Sequence, residues 1–525
     1  PPPHHTTLYS SSAASDVYKR QAVDLLRQRA TAHEHMGQID HALADLEAAV
    51  SQAQKNDLIR QHIAALNQLA YMTSVHKREG QAGLSIASSA LSLAKQEGAL
   101  DLQAESLRHM AEACYIFPTK DIPNLYKFAQ QALDLSRKSG SRRAEAGSNL
   151  CLALAAAHMN EPQESVSRLF NKSLRLYRQL GLRTAMAWTH LNAGFEAGHS
   201  ATGRRHHNEQ ALALARETNH VSFRSGAANN LAVGATKLGL FHRSEEMAQE
   251  VLTVARPLRI VTLWFCLSTL VENHLQSGKY ELIPPLLEEM NDIAAEHNLS
   301  YPAYTAMLAG LTAYKRGIYQ AAKAKFHFAA AHAHQEDSPG IVDESLAWLA
   351  ASELALNEYA SARKHSFEAI NNAGPSPAFT PQEIWWWHYQ ATRSWQEARS
   401  EWPVIPQEAG PKAAPLDDDV FEILDRARRL MFDYVANIND EGLRRNYLNK
   451  VPINRDITVE WASQAAARGA SLAPFTERET SSTSFEEQFR RLVETGNRLT
   501  AERDPETLPE TIRNEFVELS GAERA

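Results

Sequence analysis

The 525-residue chain has only three cysteines, Cys114, Cys151 and Cys266. They are far apart and odd in number, so neither a disulfide framework nor a CxxC metal site is available, and a reducing cytoplasm is the expected compartment. Long apolar runs are missing as well. The longest strictly apolar stretch, Leu150 to Ala157, falls far short of the roughly 20 residues that span a bilayer. Lys and Arg number 54 against 62 Asp and Glu, a formal charge of -8. Without a global basic field, neither nucleic acid nor an anionic membrane surface is an expected partner. Glycine (23) and proline (22) are too few for a collagen-like or low-complexity chain, whereas 44% hydrophobic and 22% charged residues are ordinary globular values. No Walker lysine loop, GxGxxG, GxSxG or HExxH is present, so the phosphate-cradling and hydrolytic arrangements they signal are not expected, and neither is a cofactor.

What the sequence does contain is a repeat. Gly317, Tyr319, Ala322, Phe326 and Ala329 recur position by position as Asn357, Tyr359, Ala362, Ser366 and Ala369. Weaker copies start at Gly37, Gly239 and Gly278, and the starts from Gly239 to Asn357 are spaced by 39, 39 and 40 residues. Each unit reads as a helix hairpin. A first helix of about 16 residues, ~24 Å long, stops at the Gly or Asn, where a left-handed residue ends it without a Cβ clash. The aromatic that follows caps the gap between helices, Ala322 or Ala362 lets the second helix close on the first, and Phe326 with Ala329 continues an apolar stripe. No alternating strand pattern interrupts the period. The expected fold class is therefore all-α, an α-α superhelix of stacked hairpins with a period of about 40 residues.

These residues resemble the second-helix signature of the tetratricopeptide (TPR) family, and the first helix matches through Trp188, Leu191, Leu231 and Gly310. The resemblance covers residues 22–395. It implies a TPR-like solenoid with a concave groove that takes a protein or peptide partner. The period departs from the ~34 residues usual in that family, which implies longer helices, like those of TPR arrays in large bacterial regulators. First-helix residues line such a groove, and Asn149, Asn192 and Asn230 adjoin Leu150, Leu191 and Leu231. An amide that both donates and accepts suits gripping an extended peptide backbone. In TPR domains an Asn just before that leucine does this; Asn149 and Asn230 match it and Asn192 is shifted. The plainer reading is three solvated or helix-internal asparagines.

Other candidate chemistry is thin. His33 and His35, like His327, His332 and His334, lack the i,i+3 or i,i+4 offsets that put two metal ligands on one helix face. Each cysteine falls within a predicted first helix among apolar neighbours, as a structural thiol would. Catalysis by this chain is not expected.

The ends have a different texture. Residues 1–21 are set aside as a disordered or artefactual tail, Leu8 to Gln21 resembling translated read-through, and the sequence is expected to be a fragment. Over residues 396–468, Pro403, Pro406, Pro411 and Pro415 mark an insertion between capping helices expected at Gln382 to Trp395 and Leu416 to Ala436. Arg444 to Asp456 is read as a lead-in to a short helix at Ile457 to Ala467. Residues 469–484 read as a linker. Over residues 485–525, Phe485, Phe489, Leu492 and Leu499 form a heptad-like stripe, and the segment through Gly521, Ala522, Glu523 and Arg524 resembles the entry to a GAF domain. That is a ligand-sensing module of bacterial signalling proteins. The array thus carries a short helical C-terminal extension. The resemblances imply an interaction and sensor scaffold in a multidomain bacterial signalling protein, with other domains of the same polypeptide as further partners. The alternatives are the regulatory middle of a signalling enzyme (histidine kinase, protein kinase or nucleotide cyclase) or of a TPR-containing transcription activator.

Overall fold

The computed structural model describes residues 6–116, 121–196, 201–297, 299–335, 338–372, 380–401, 420–436, 438 and 440–469. Among the described residues all regular structure is helical. Nine hairpins follow one another: α1 (Thr6–His35) with α2 (Ile39–Lys55), α3 (Ile59–Tyr71) with α4 (Gly80–Gln96), α5 (Leu100–Tyr115) with α6 (Ile122–Ser139), α7 (Arg142–His158) with α8 (Gln163–Gln179), and α9 (Arg183–Phe195) with α10 (Ala201–Glu217). Then come α11 (Val221–Lys237) with α12 (Phe241–Leu258), α13 (Thr262–Ser277) with α14 (Ile283–Glu296), α15 (Pro302–Lys315) with α16 (Tyr319–Gln335), and α17 (Pro339–Ala355) with α18 (Tyr359–Asn372). Second helices begin 36 to 42 residues apart. Four further helices close the described chain: α19 (Pro381–Glu401), α20 (Val420–Val435), α21 (Glu441–Lys450) and α22 (Pro452–Ala467).

The repeat residues act as the period requires. Gly317 (φ +77°) and Asn357 (φ +62°) are left-handed at the ends of their first helices, a conformation that breaks the α ladder and costs Gly nothing. Ala322, Phe326 and Ala329 of α16 and Ala369 of α18 are fully buried in one core with Met307, Trp348 and Leu349. Burying a side chain the size of Phe326 contributes roughly 1.5–3 kcal/mol. Ala362 is fully buried against Ala350 and Ala391. The Tyr319 ring meets Tyr314 of the preceding helix edge-on at 5.3 Å, and Tyr359 donates its hydroxyl to Asn357 Oδ1 at 2.8 Å.

The chain forms two compact units: Pro1–Leu231 with Gln249–Cys266, and Ala232–Ala248 with Leu267–Ala525. In the first, α7 is buried on every side from Ala146 to Ala156, and its Leu150, Cys151, Leu152 and Leu154 pack with Leu125 and Ala129 of α6 and Val166 and Phe170 of α8. A helix apolar all round needs neighbours all round. It finds them because first helices in this unit pack on one another as well as on their hairpin partners: α3 on α5 and α5 on α7. The second unit repeats the arrangement with α15 on α17 and α17 on α19. All three cysteines are buried in first helices, in α5, α7 and α13.

Three elements differ from the sequence reading. Helix α1 is continuous from Thr6, so most of the segment set aside as a tail is helical. Helix α19 runs past Trp395 to Glu401, because no proline intervenes before Pro403 and Gln396 to Arg399 are helix-compatible. The stretch read as a lead-in holds α21 instead. Asp440 caps α21 by accepting from the Leu443 amide at 2.8 Å, and α22 starts at Pro452 rather than at Ile457, the proline lying in its first turn, where a missing N–H is harmless. Of the three adjacent tryptophans, Trp386 is buried, and Trp385 and Trp387 are half-buried. The four insertion prolines, the heptad-like stripe and the GAF-like segment lie outside the described residues.

Candidate partner-binding faces

Because first helices stack on first helices, side chains at matching positions along them form rows. In the first unit the row at the C-terminal ends of α5, α7 and α9 brings together Tyr115, His158 and Glu196. Tyr115 donates its hydroxyl to Glu196 Oε1 at 2.5 Å, His158 Nε2 lies 3.5 Å from the same oxygen, and the Tyr115 and His158 rings are 5.8 Å apart. Burial, reinforced by the Glu196 carboxylate, pushes the Tyr115 hydroxyl well above the usual range. Arg78, left-handed at φ +62°, sets its guanidinium 5.8 Å from the Phe265 ring centre.

Two turns back along α5, at Arg108, the row becomes an ionic network. Arg108 donates from Nε to Glu105 Oε2 at 2.9 Å and from Nη1 to Glu112 Oε1 at 2.7 Å. Its Nη2 is 2.6 Å from His109 Nε2. An arginine only donates, so His109 Nε2 accepts, and the ring proton sits on Nδ1, which donates to Glu112 Oε2 at 2.9 Å. Burial and the Arg108 charge both hold His109 below its ordinary value. Burial would raise Glu112, but Arg108 and His109 overcome it and bring the carboxyl down to about 2. Gly147 of α7 makes the room: a Cβ there would lie 2.1 Å from Arg108 Cδ.

A third cluster in this unit joins distant residues. Glu34 Oε1 accepts from His76 Nε2 at 3.1 Å and from His220 Nε2 at 3.4 Å. Burial opposes its ionisation, and the hydrogen bonds from the two histidines hold it far below the usual carboxylate range. His76 ends a π-helical turn, Met72–His76, that follows Tyr71, whose ring is 5.7 Å from His76 and 6.1 Å from His109.

The second unit has its own row, and it is acidic. Tyr304 of α15 donates to Glu272 of α13. Thr380, just before α19, places its single hydroxyl 2.8 Å from Glu344 Oε1 and 3.1 Å from Glu383 Oε2. One hydroxyl proton serves only one of the two carboxyls, so the pair retains a proton of its own or takes a cation from outside. Burial, reinforced by Glu383, pushes Glu344 up to about 8. Burial likewise raises Glu272 and Glu383. Beside them lies an aromatic wall: Trp348 is 5.1 Å from both Tyr314 and Trp387, with Lys315 Nζ 5.1 Å from the Trp348 ring centre.

The asparagines singled out from the sequence sit within these helices. Asn149 is buried and donates from Nδ2 to the Glu145 carbonyl at 2.6 Å. Asn192 is buried and donates to the Trp188 carbonyl at 2.8 Å. Each amide nitrogen therefore uses one of its two N–H donors one turn back in its own helix. Asn230 is half-buried and donates to Asn208 Oδ1 at 3.1 Å. The three are not brought together. Of the other histidines, His327 meets His365 edge-on at 5.7 Å, His332 stacks on Phe328 at 3.7 Å, and His33 pairs with Gln38 at 2.6 Å. The rows themselves were missed in the sequence. For the first unit's row the signal was one aromatic, basic or acidic residue per hairpin at the end of the first helix, as at Tyr115, His158 and Glu196.

Paired helices with left-handed stops, an alanine at each close approach, and first helices stacked on first helices decide the architecture. The fold is a TPR-like solenoid. No family model and no curated protein matches the chain. Among solved structures, 67% of the chain aligns with 98% of a Rap protein complexed with Competence and Sporulation Factor, at 13% identity and a TM-score of 0.48. A Signal Transduction ATPase with Numerous Domains with a tetratricopeptide repeat sensor, from Pyrococcus horikoshii, aligns over 74% of this chain and 54% of its own, at 12% identity and a TM-score of 0.45. Yeast Tom70 aligns over 90% and 99%, at 12% identity and a TM-score of 0.37. Among the described residues, no helix is long and apolar enough to cross a membrane.

Proposed function

We propose that the chain is a non-catalytic interaction scaffold that takes an extended segment of a protein or peptide partner along its first-helix rows. The observation that carries this is the acidic row of the second unit, where Glu272, Tyr304, Glu344, Thr380 and Glu383 come from four successive first-helix positions. An extended chain repeats its polar groups at short, regular intervals, and a row of donors and acceptors backed by an aromatic wall matches that periodicity. The Tyr115, His158 and Glu196 row is the corresponding candidate in the first unit, with half-buried Asn230 as the asparagine that retains access. In this reading the array works in the cytoplasm as the sensing region of a longer bacterial signalling polypeptide, relaying occupancy to a GAF-like module entered through residues 485–525.

The test is selection of phage-displayed peptides on the purified chain, with a Glu344→Gln/Glu383→Gln variant and a Tyr115→Phe/Glu196→Gln variant as counter-targets. Enrichment of a sequence class that one of the variants loses is the expected result. Selection that enriches nothing over a non-binding control protein would refute the scaffold reading. Turnover of ATP or GTP by the purified chain would refute its non-catalytic part.

A further inference from the structure

His220 does two jobs at once. It precedes α11, and its Nδ1 accepts the Phe223 amide N–H at 3.3 Å, which makes it the helix N-cap. Its Nε2 faces Glu34 Oε1 at 3.4 Å, 186 residues away in sequence. The two bonds fix the tautomer: Nδ1 has no proton because it accepts, so the ring proton is on Nε2 and points at Glu34. The ring is fully buried and stacks flat on Phe223 at 3.7 Å. The joint extends beyond this pair. Around Gly37, in the turn after α1, a Cβ would come within 3.3 Å of Val221 Cγ1 and 3.1 Å of Leu258 Cδ1. The end of α1 is therefore seated on the start of α11 and the end of α12.

We propose that Glu34 and the neutral imidazole of His220 form a proton-sensitive latch, which holds the first hairpin of the first unit to the N-terminus of α11 and loosens on acidification. A second proton has only Nδ1 to go to. There it removes the acceptor of the Phe223 N–H, faces that N–H, and adds positive charge to the positive end of the α11 dipole. The titratable and charged groups around the ring are Glu34 and His35 from α1 and His76 from the turn after α3. Tyr71 of α3 hydrogen-bonds Glu34 and lies within the field of Glu112 and Arg108 of α5. Of these, Glu34 alone favours the imidazolium directly, and it is already shared with His76. Burial lowers the proton affinity of His220, against the partial offset of Glu34. A histidine whose folded-state affinity is lowered contributes stability that is complete above its ordinary pKa of about 6.5 and is lost as pH falls below it.

The experiment is hydrogen exchange read by mass spectrometry at pH 7.5 and 5.0, corrected for intrinsic rates, on the wild-type chain, His220→Asn and His76→Gln. Asparagine caps a helix as well as any residue and does not titrate. In the wild type, protection over residues 34–42 and 218–226 should fall roughly fivefold at the lower pH, about what one lost cap costs, while α6 to α8 hold. His220→Asn should remove that fall, and His76→Gln should leave it in place. A wild type without the fall, a fall that persists in His220→Asn, or one that only His76→Gln removes would each overturn the latch. If His220→Asn does not fold, the titration of the His220 ring in the wild-type chain decides by NMR. A midpoint below the ordinary histidine value supports the latch, and one at or above it overturns it.

Discussion

Gly310 of α15 is the slot that admits Phe326 of α16: a Cβ at position 310 would lie 2.8 Å from Phe326 Cε1, with Cδ1 and Cζ at 3.0 Å. Phe326 is fully buried. Gly310→Ala should therefore destabilise the second unit by about 1–3 kcal/mol, the usual cost of overpacking, despite the gain of up to ~1 kcal/mol in helix propensity. Gly234 in α11 is the control, because nothing lies within 4 Å of a Cβ there. Gly234→Ala should stabilise, and urea denaturation of the two variants should move in opposite directions.

Arg108 is the cation that keeps Glu105 and Glu112 ionised in the interior. Arg108→Met should cost about 3–5 kcal/mol, since it removes the guanidinium that both carboxylates share and leaves Glu112 with His109 alone. Adding Glu105→Gln and Glu112→Gln to that change should recover part of the loss. A triple variant no more stable than Arg108→Met alone in urea would show that packing of the arginine stem, not its charge, is what matters at this site.

The acidic row of the second unit should respond to pH in the sense opposite to the His220 latch. Glu344, raised to about 8, binds its proton more tightly folded than unfolded. Its contribution is complete below the ordinary carboxylate range and is lost as pH rises towards 8. Glu344→Gln keeps a partner for Thr380 and removes the charge. At pH 8.5 it should stabilise the second unit by about 1–3 kcal/mol, and at pH 5 it should change little. Exchange protection of α15 to α19 in the two proteins reads this out.

The architecture was legible in the sequence because its signals are local. A left-handed stop at Gly317 or Asn357 and a small residue at Ala322 or Ala362 follow from steric rules that hold wherever the hairpin sits. The start of the last helix, expected at Ile457 and found at Pro452, reflects an equally local ambiguity: a proline opens a helix or lies before one, depending on whether its missing N–H is needed. The polar rows were not legible, since which residues share a row depends on how first helices stack across hairpins. Tyr115 meets Glu196, and Glu34 meets His220, only after 81 and 186 intervening steps of chain have folded. Asn149, singled out by its place beside Leu150, donates one amide N–H to the Glu145 carbonyl inside α7, a bond that adjacency in the sequence does not reveal.

The scaffold account is tested most directly by the affinity of a selected peptide, measured by fluorescence polarisation on four proteins: the wild-type chain, Tyr115→Phe/Glu196→Gln, Glu344→Gln/Glu383→Gln, and Lys325→Ala on the exposed side of α16. One of the two row variants should weaken binding by about tenfold or more, ~1.4 kcal/mol, while Lys325→Ala binds as the wild type does. Equal affinity across all four proteins would contradict the assignment of the first-helix rows as the binding faces.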